Sequence, residues 1–112
     1  MPPMPQARLG DLSMGHWIFA FVPMYFPPTP LVTASPDCMS CCIPACRVTD
    51  IAVPHFAFIH GFVPVPWIIH TPVAASGSSE CFINFLPAFR VLDNYSCGDI
   101  QAMGCPQHIV DG

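Results

Sequence analysis

Charged side chains are scarce in this sequence: its 112 residues include three Lys and Arg and seven Asp and Glu, for a net charge of −4. Three basic side chains cannot neutralise many phosphates, which argues against a nucleic-acid binder. Apolar residues make up 53% of the chain, which argues against disorder. A chain this short leaves apolar surface uncovered, and we expect part of that surface to bind a partner.

An apolar segment long enough to cross a membrane as a helix is also missing. The run Trp17–Phe26 is short and broken by Pro23, and prolines and a glycine interrupt Phe56–Ile69. The N-terminal region shows neither the basic start nor the apolar stretch of a signal peptide. We therefore expect the protein to be made in the cytoplasm without a signal peptide and to leave, if at all, by another route.

Proline is abundant, with 15 prolines beside seven glycines. Both residue types disfavour helix interiors and end strands. This composition predicts an all-β fold, mainly short strands joined by turns. The length allows one domain, residues 1–112.

An eight-residue pattern, apolar-Pro-x-x-Arg-apolar-x-Asp, occurs at 4–11, 43–50 and 86–93. A second shared element, a turn followed by a short strand, covers 34–39, 77–82 and 104–109. The chain is thus three units, and we expect them to close around a pseudo-threefold axis, which leaves no exposed sheet edges. A stacked solenoid is the alternative, but it needs capping repeats that this chain lacks.

The arginine and aspartate of each repeat lie three residues apart, on opposite faces if the strand is extended. We therefore expect the arginines to meet acids or carbonyls of a neighbouring unit. The aspartates should accept backbone N–H groups at the following turn. These residues are Arg8, Arg47 and Arg90, with Asp11, Asp50 and Asp93.

A metal ligand follows each of these aspartates. His16 and His55 lie five residues after theirs, and Cys97 lies four residues after the third. Threefold symmetry would bring these three side chains to the axis. We expect His70 to be the fourth ligand there, because of its distance along the sequence from the turn residue Gly77. His60 is the alternative fourth ligand, and His108, at the far end of its unit, is excluded. Three His and one Cys form a closed tetrahedral set, so we expect a structural zinc.

The repeats resemble the PAAR-repeat family, the spike-tip proteins of contractile injection machines. The matching segments are Pro-Gln-Ala-Arg at 5–8, Pro-Ala-Cys-Arg at 44–47 and Pro-Ala-Phe-Arg at 87–90, with Gly-His at 15–16 and Ser-Cys-Gly at 96–98. The resemblance implies a small cone whose tip is pinned by a metal on three His and one Cys. It also implies a non-enzymatic role.

As the resemblance implies, one copy would cap a trimeric β-helical spike end-on and sharpen it for piercing the target envelope. The location would then be the tip of a phage tail or of a type VI secretion machine, without a cargo domain. Transient contact with the target membrane is a further expectation. The choice between the two machines, and between zinc and iron, stays open.

The seven cysteines leave several alternatives. Cys38, Cys81 and His108 occupy equivalent strand positions, so a Cys38–Cys81 disulfide and two free thiols are equally expected. The C-x-x-C at 38–41 favours a redox or metal-handling protein as the alternative function, but the βαβ context of a thioredoxin-like site is missing. A hydrolase is disfavoured because no nucleophile elbow is present.

Two loops, 17–31 and 56–69, are long, apolar and rich in aromatic residues. They either fold down as the core or present aromatic side chains to lipid or to surrounding proteins. The turns Cys41-Cys42 and Asn84-Phe85 depart from the Asn-Gly that is usual in the resembled family. The first of these turns is therefore unusual.

Overall fold

A computed structural model describes residues 3–19, 23–60 and 62–110 of the chain. Across these ranges the backbone forms strands and turns, and no helix is present. The prediction of an all-β fold of short strands is therefore confirmed. Phe21, one of the aromatic residues of the first apolar loop, lies outside the described residues.

Three small antiparallel strand pairs, which we call the small hairpins although one of them joins the two ends of the chain, correspond to the three sequence repeats. They are β1 (Met4–Gln6) with β10 (Cys105–Val110), β4 (Met39–Ser40) with β5 (Ile43–Pro44), and β8 (Phe82–Ile83) with β9 (Leu86–Pro87). The proline of each repeat faces an equivalent residue: Pro5 faces Ile109, Pro44 faces Met39 and Pro87 faces Phe82. The sequence alignment of the turn-and-strand element therefore has the register seen in the structure.

The two apolar loops form one antiparallel four-stranded sheet. Its strands, in spatial order, are β2 (His16–Phe19), β3 (Pro23–Phe26), β6 (His55–Ile59) and β7 (Val63–His70). Pairing of β3 with β6 joins the loop of the first unit to the loop of the second. The molecule is elongated, with extents of 41 × 26 × 22 Å.

Backbone hydrogen bonds close the three units into a ring. Ala7 N–H donates to the carbonyl of Phe89 (2.9 Å), Cys46 N–H donates to Ala7 (3.0 Å), and Phe89 N–H donates to Cys46 (3.1 Å). A second cycle of hydrogen bonds repeats this arrangement. In it the backbone N–H groups of Leu9, Val48 and Val91 donate to the carbonyls of Pro44, Pro87 and Pro5, respectively. Each unit therefore contacts both others, which is a closed arrangement and not a stacked solenoid.

The core lies inside this ring. Ala7, Cys46 and Phe89 occupy the same place in the three units, and their side chains are fully buried. They pack with Leu31, Ala52, Ala74 and Tyr95, and Cys97 packs against the group from one side. The Gln6 amide nitrogen, fully buried, donates to the carbonyls of Ala7, Cys46 and Phe89 at 2.8–3.0 Å. One side chain thus bridges all three units.

The expected pairing of the repeat arginines with neighbouring units is wrong for their main ion pairs. Each arginine pairs with the aspartate of its own repeat, as in Arg8 Nε to Asp11 Oδ2 at 2.9 Å. That carboxylate also accepts the backbone N–H of Arg8, at 2.9 Å, so the expectation that the aspartates accept N–H groups of the following turn is wrong as well. The reason is a tight turn between the two residues, closed by Asp11 N–H donating to the Arg8 carbonyl, so that the segment is not extended. Arg47 additionally reaches Asn84 of the next unit.

Of the two alternatives expected for Cys38 and Cys81, a disulfide and two free thiols, the structure has the free thiols. Both residues are free thiols, and the disulfide joins Cys41 to Cys105, whose Cα atoms are 6.1 Å apart. Cys38 and Cys81 hold equivalent positions in separate hairpins, where each backbone N–H donates to the hydroxyl oxygen of a serine in its own unit. Cys41 lies in the turn of its hairpin, beside β10 of the neighbouring unit.

Candidate metal centre

One end of the four-stranded sheet carries three histidines. His16 begins β2, His55 begins β6 and His70 ends β7, and His55 is paired with His70 across the two strands. Because neighbouring strands run antiparallel, the start of β6 and the end of β7 lie at the same sheet end. Cys97 joins them from a turn in which Gly98 N–H donates to the Tyr95 carbonyl.

Gly15 allows His16 to enter the sheet at this point. Its φ is +77°, a left-handed conformation that side chains disfavour. A Cβ at this position would lie 2.8 Å from the Phe26 carbonyl oxygen and 2.9 Å from the Tyr25 hydroxyl. Glycine at position 15 is therefore required by backbone conformation and by close packing before any metal is considered.

The four side chains that the sequence singled out come together. One ligand atom from each of His16, His55, His70 and Cys97 lies within 4.8 Å of the others. The Nε2 atoms of His55 and His70 are 2.6 Å apart, and Cys97 Sγ lies 3.9 Å from His55 Nε2. Atoms bonded to one zinc at 2.0–2.3 Å lie at most about 4.6 Å apart, so small side-chain movements bring this group to a metal's ligand spacing.

Hydrogen bonding fixes the tautomer of His55. Its Nδ1 lies 2.8 Å from the carbonyl oxygen of Pro27, which can only accept a hydrogen bond. Nδ1 therefore carries the proton, and the lone pair of the neutral ring is on Nε2, directed at His70. A backbone carbonyl that holds the outer nitrogen of a histidine is a common feature of metal sites.

Burial favours the neutral form of His16 and His70. Desolvation, with a smaller contribution from the neighbouring His55 and His16 rings, lowers the pKa of His70 to about 4. Desolvation also lowers the pKa of His16, against the opposing effect of Asp99. Burial raises the pKa of the Cys97 thiol, so a bound metal would have to displace its proton. Neutral imidazole is the form that binds metals.

Three buried polar atoms at this site have no hydrogen-bond partner among the described residues. They are both ring nitrogens of His16 and Oδ2 of Asp99. Buried polar groups are nearly always paired, so unpaired atoms beside four clustered ligands fit a site that binds an ion. This group of three His and one Cys can hold a metal ion.

Phe26 encloses the histidines from the side. Its ring is 1% exposed and stacks on His70 at 4.2 Å and on His16 at 4.9 Å between centroids. Sequence reasoning placed Phe26 only within an apolar loop, because nothing in the sequence shows which aromatic ring would pack against the ligands. Asp99, two residues after Cys97, was also missed, although an acid that close to a candidate ligand is a usable signal.

The remaining histidines lie elsewhere. His60 is exposed in the turn between β6 and β7, and its backbone N–H donates to the Pro23 carbonyl. It is therefore at the opposite end of the sheet from His70. His108 lies in β10, with Nδ1 2.7 Å from the Ser40 hydroxyl. Neither residue belongs to the group that can hold the metal.

No family model and no curated protein matches this chain. Within residues 3–19, 23–60 and 62–110, no helix is long and apolar enough to cross a membrane.

Proposed function

We propose that this protein is a non-enzymatic spike tip of a contractile injection machine, either a phage tail or a type VI secretion system. One copy binds end-on to the blunt end of a trimeric β-helical spike and sharpens it for piercing an envelope. The closed ring of three units supports this role, because a single chain with approximate threefold symmetry can match the three identical chains of the spike.

The observation that carries the proposal is a set of three equivalent apolar side chains on the small hairpins. Met39, Phe82 and Ile109 each face the repeat proline of their hairpin, and they are 66%, 59% and 50% exposed. Large apolar residues that repeat with threefold spacing on a free surface mark a partner site of matching symmetry. Phe85, in the turn of the hairpin that carries Phe82, is 98% exposed and adds to the exposed apolar side chains of that hairpin.

Binding to a spike tests the proposal. A purified trimeric β-helical spike protein from the same source, mixed with this chain, should give a complex of three spike chains and one tip by native mass spectrometry. The complex should survive moderate salt, because the contact surface has few charges. Phe82→Lys and Met39→Lys should weaken the complex at least tenfold. Trp67, an aromatic residue of the four-stranded sheet, is even more exposed, and Trp67→Lys is the matched control that should leave binding unchanged.

The metal would be structural in this role. Three His and one Cys fill a tetrahedral zinc site completely, with no position left for a substrate. Bound there, the ion would link both sheet hairpins to the turn that carries Cys97, which packs against the core, and so would stiffen the attachment of the sheet to the ring. Metal analysis of protein purified without chelators distinguishes zinc from iron. We expect one zinc per chain, retained under thiol reductants.

The four-stranded sheet is the part that would contact a target membrane. No Asp, Glu, Lys or Arg occurs in 12–36 or 51–79, the segments that contain its strands. Trp67 and Phe62 are 78% and 73% exposed there. Aromatic side chains without nearby charges suit the apolar side of a lipid interface.

Vesicle binding tests this part of the proposal separately. The intact protein should float with neutral phosphatidylcholine vesicles, and its tryptophan emission should shift to shorter wavelength. Trp67→Lys should abolish flotation, while Phe82→Lys should not. Flotation that is lost in Phe82→Lys instead would assign lipid binding to the small hairpins and contradict the proposed orientation.

A further inference from the structure

Asp99 is a fully buried carboxylate at the edge of the metal centre. Its Oδ1 accepts a hydrogen bond from the backbone N–H of Ile100 at 2.7 Å. Its Oδ2 has no hydrogen-bond partner among the described residues. The nearest basic atom is Nδ1 of His16, at 3.7 Å, and that atom is also buried and unpartnered. Two complementary groups thus face each other slightly beyond hydrogen-bond distance.

Among the described residues, no arginine or lysine forms an ion pair with Asp99. The chain has three basic residues of these types, and each arginine forms an ion pair with the aspartate of its own repeat. A buried carboxylate without a cationic partner is strongly unfavourable. A compensating positive charge is therefore expected close to Asp99.

We propose that Asp99 is a positioning residue of the metal centre. Its Oδ2 accepts the hydrogen bond of His16 Nδ1–H, which directs the Nε2 lone pair of His16 towards the metal. This inference rests on the proposed metal binding and deepens it. A divalent ion with three neutral imidazoles and one thiolate carries a single positive charge, which the Asp99 carboxylate neutralises.

His55 already shows the same arrangement with a different acceptor. Its Nδ1 is held by the Pro27 carbonyl at 2.8 Å, which leaves Nε2 for the metal. Asp99 would serve His16 in the same way, with a carboxylate in place of a carbonyl. Closure from 3.7 Å to about 2.8 Å would complete the hydrogen bond.

Asp99→Asn removes the charge and keeps the side-chain shape and an acceptor for Ile100. The affinity for Zn²⁺, measured by competition with a chromogenic chelator, should fall 10–100-fold, as for other outer partners of metal-bound histidines. Asp11→Asn removes a comparable buried carboxylate from a repeat turn. It is the matched control, and its zinc affinity should stay within twofold of the wild type.

A double-mutant cycle separates positioning from general support of the fold. In a His16→Ala background, Asp99→Asn should cause little further loss of zinc affinity, because its partner is gone. The Co²⁺-loaded Asp99→Asn protein should also show shifted visible absorption bands. If Asp99→Asn does not fold, Asp99→Ser, which is smaller and still polar, takes its place in the same cycle.

The outcomes separate this inference from the metal proposal itself. Wild-type protein that binds no Zn²⁺ would overturn both. Wild-type binding with an unchanged affinity in Asp99→Asn would overturn the role of Asp99 alone. An equal loss with and without His16 would also overturn it, because Asp99 would then act on the fold and not through His16.

Discussion

Asn84 Oδ1 accepts a hydrogen bond from Ser35 Oγ at 2.5 Å, at the place that the Cys41–Cys105 disulfide occupies in the neighbouring unit. Asn84 and Cys41 are equivalent turn residues, and both have φ of 52°. Ser35 and Cys105 are equivalent as well, three residues before Cys38 and His108. The same contact between units is therefore covalent in one place and a hydrogen bond in another.

Breaking the disulfide should destabilise the protein. Cys41 and Cys105 are 64 residues apart, and a cross-link of that span raises the free energy of unfolding by about 2–4 kcal/mol. Cys41→Ser should lower the free energy of unfolding by this amount in guanidinium titrations under oxidising conditions. The exposed free thiol next to it gives the control, since Cys42→Ser should have little effect. Peptide mapping that links Cys38 to Cys81 instead would contradict the assignment.

Backbone strain in the repeat turns should be relieved by glycine. The third residue of the Arg-x-x-Asp turn is left-handed in every unit: Gly10 at +85°, Thr49 at +84° and Leu92 at +73°. A residue with a Cβ is unfavourable there by about 1–2 kcal/mol. Thr49→Gly should therefore raise the free energy of unfolding by about 1 kcal/mol.

Gly10 offers the reverse experiment. A Cβ added to Gly10 meets no atom within 4 Å, so only the backbone conformation opposes it. Gly10→Ala should lower stability by about 1 kcal/mol in the same denaturant titration. If both Thr49→Gly and Gly10→Ala destabilise, turn strain is not the determining factor.

Removal of His55 should abolish metal retention. His55 is the ligand whose outer nitrogen is already fixed by Pro27, and it lies between His70 and Cys97. His55→Ala should contain less than a tenth of the wild-type zinc after dialysis, by elemental analysis. His60→Ala changes an exposed histidine outside the site and should keep one zinc per chain. Full zinc occupancy in His55→Ala would rule out the proposed ligand set.

Acid should destabilise the metal-free protein. The folded-state pKa of His70 is about 4, below its ordinary value of 6.5, so the unfolded chain takes up the proton first. The contribution of His70 is complete above pH 6.5 and is lost as the pH falls from 6.5 towards 4. The loss for one proton is at most about 1.4 kcal/mol per pH unit. His16 shifts in the same direction.

Unfolding titrations at pH 7.5 and pH 5, with chelator present, measure this dependence. The difference in stability between the two pH values should shrink in His70→Gln, because glutamine does not titrate. His60→Gln should behave as the wild type. A wild-type stability that rises on acidification would contradict the expected direction.

The repeats made the ring and the group of four ligands predictable. A pattern that occurs three times predicts three similar structural environments. The equal spacings from Asp11 to His16 and from Asp50 to His55 therefore predicted that these two histidines lie together. The Arg–Asp pairing was not predictable, because only Gly10 signals the tight turn while Thr49 and Leu92 conceal it.

The disulfide lay beyond sequence reasoning for a different reason. Equivalent cysteines can be recognised from the repeats. The direction in which one hairpin packs against the next cannot be recognised from them. That direction brings Cys41 to Cys105 and Asn84 to Ser35. Pairing of β3 with β6 likewise depends on the relative tilt of two hairpins from different units, which no local pattern records.

The pairing of β1 with β10 has a consequence for the order of folding. Met4 pairs with Val110, so one of the three hairpins joins segments that are separated by almost the whole sequence. The pair of β1 and β10 can form only after β10 has been synthesised. Contacts between residues so far apart in the sequence form slowly. Cys105 begins β10, so the disulfide to Cys41 can close only after nearly the whole chain has been made. The disulfide therefore cannot stabilise an intermediate that forms earlier in synthesis.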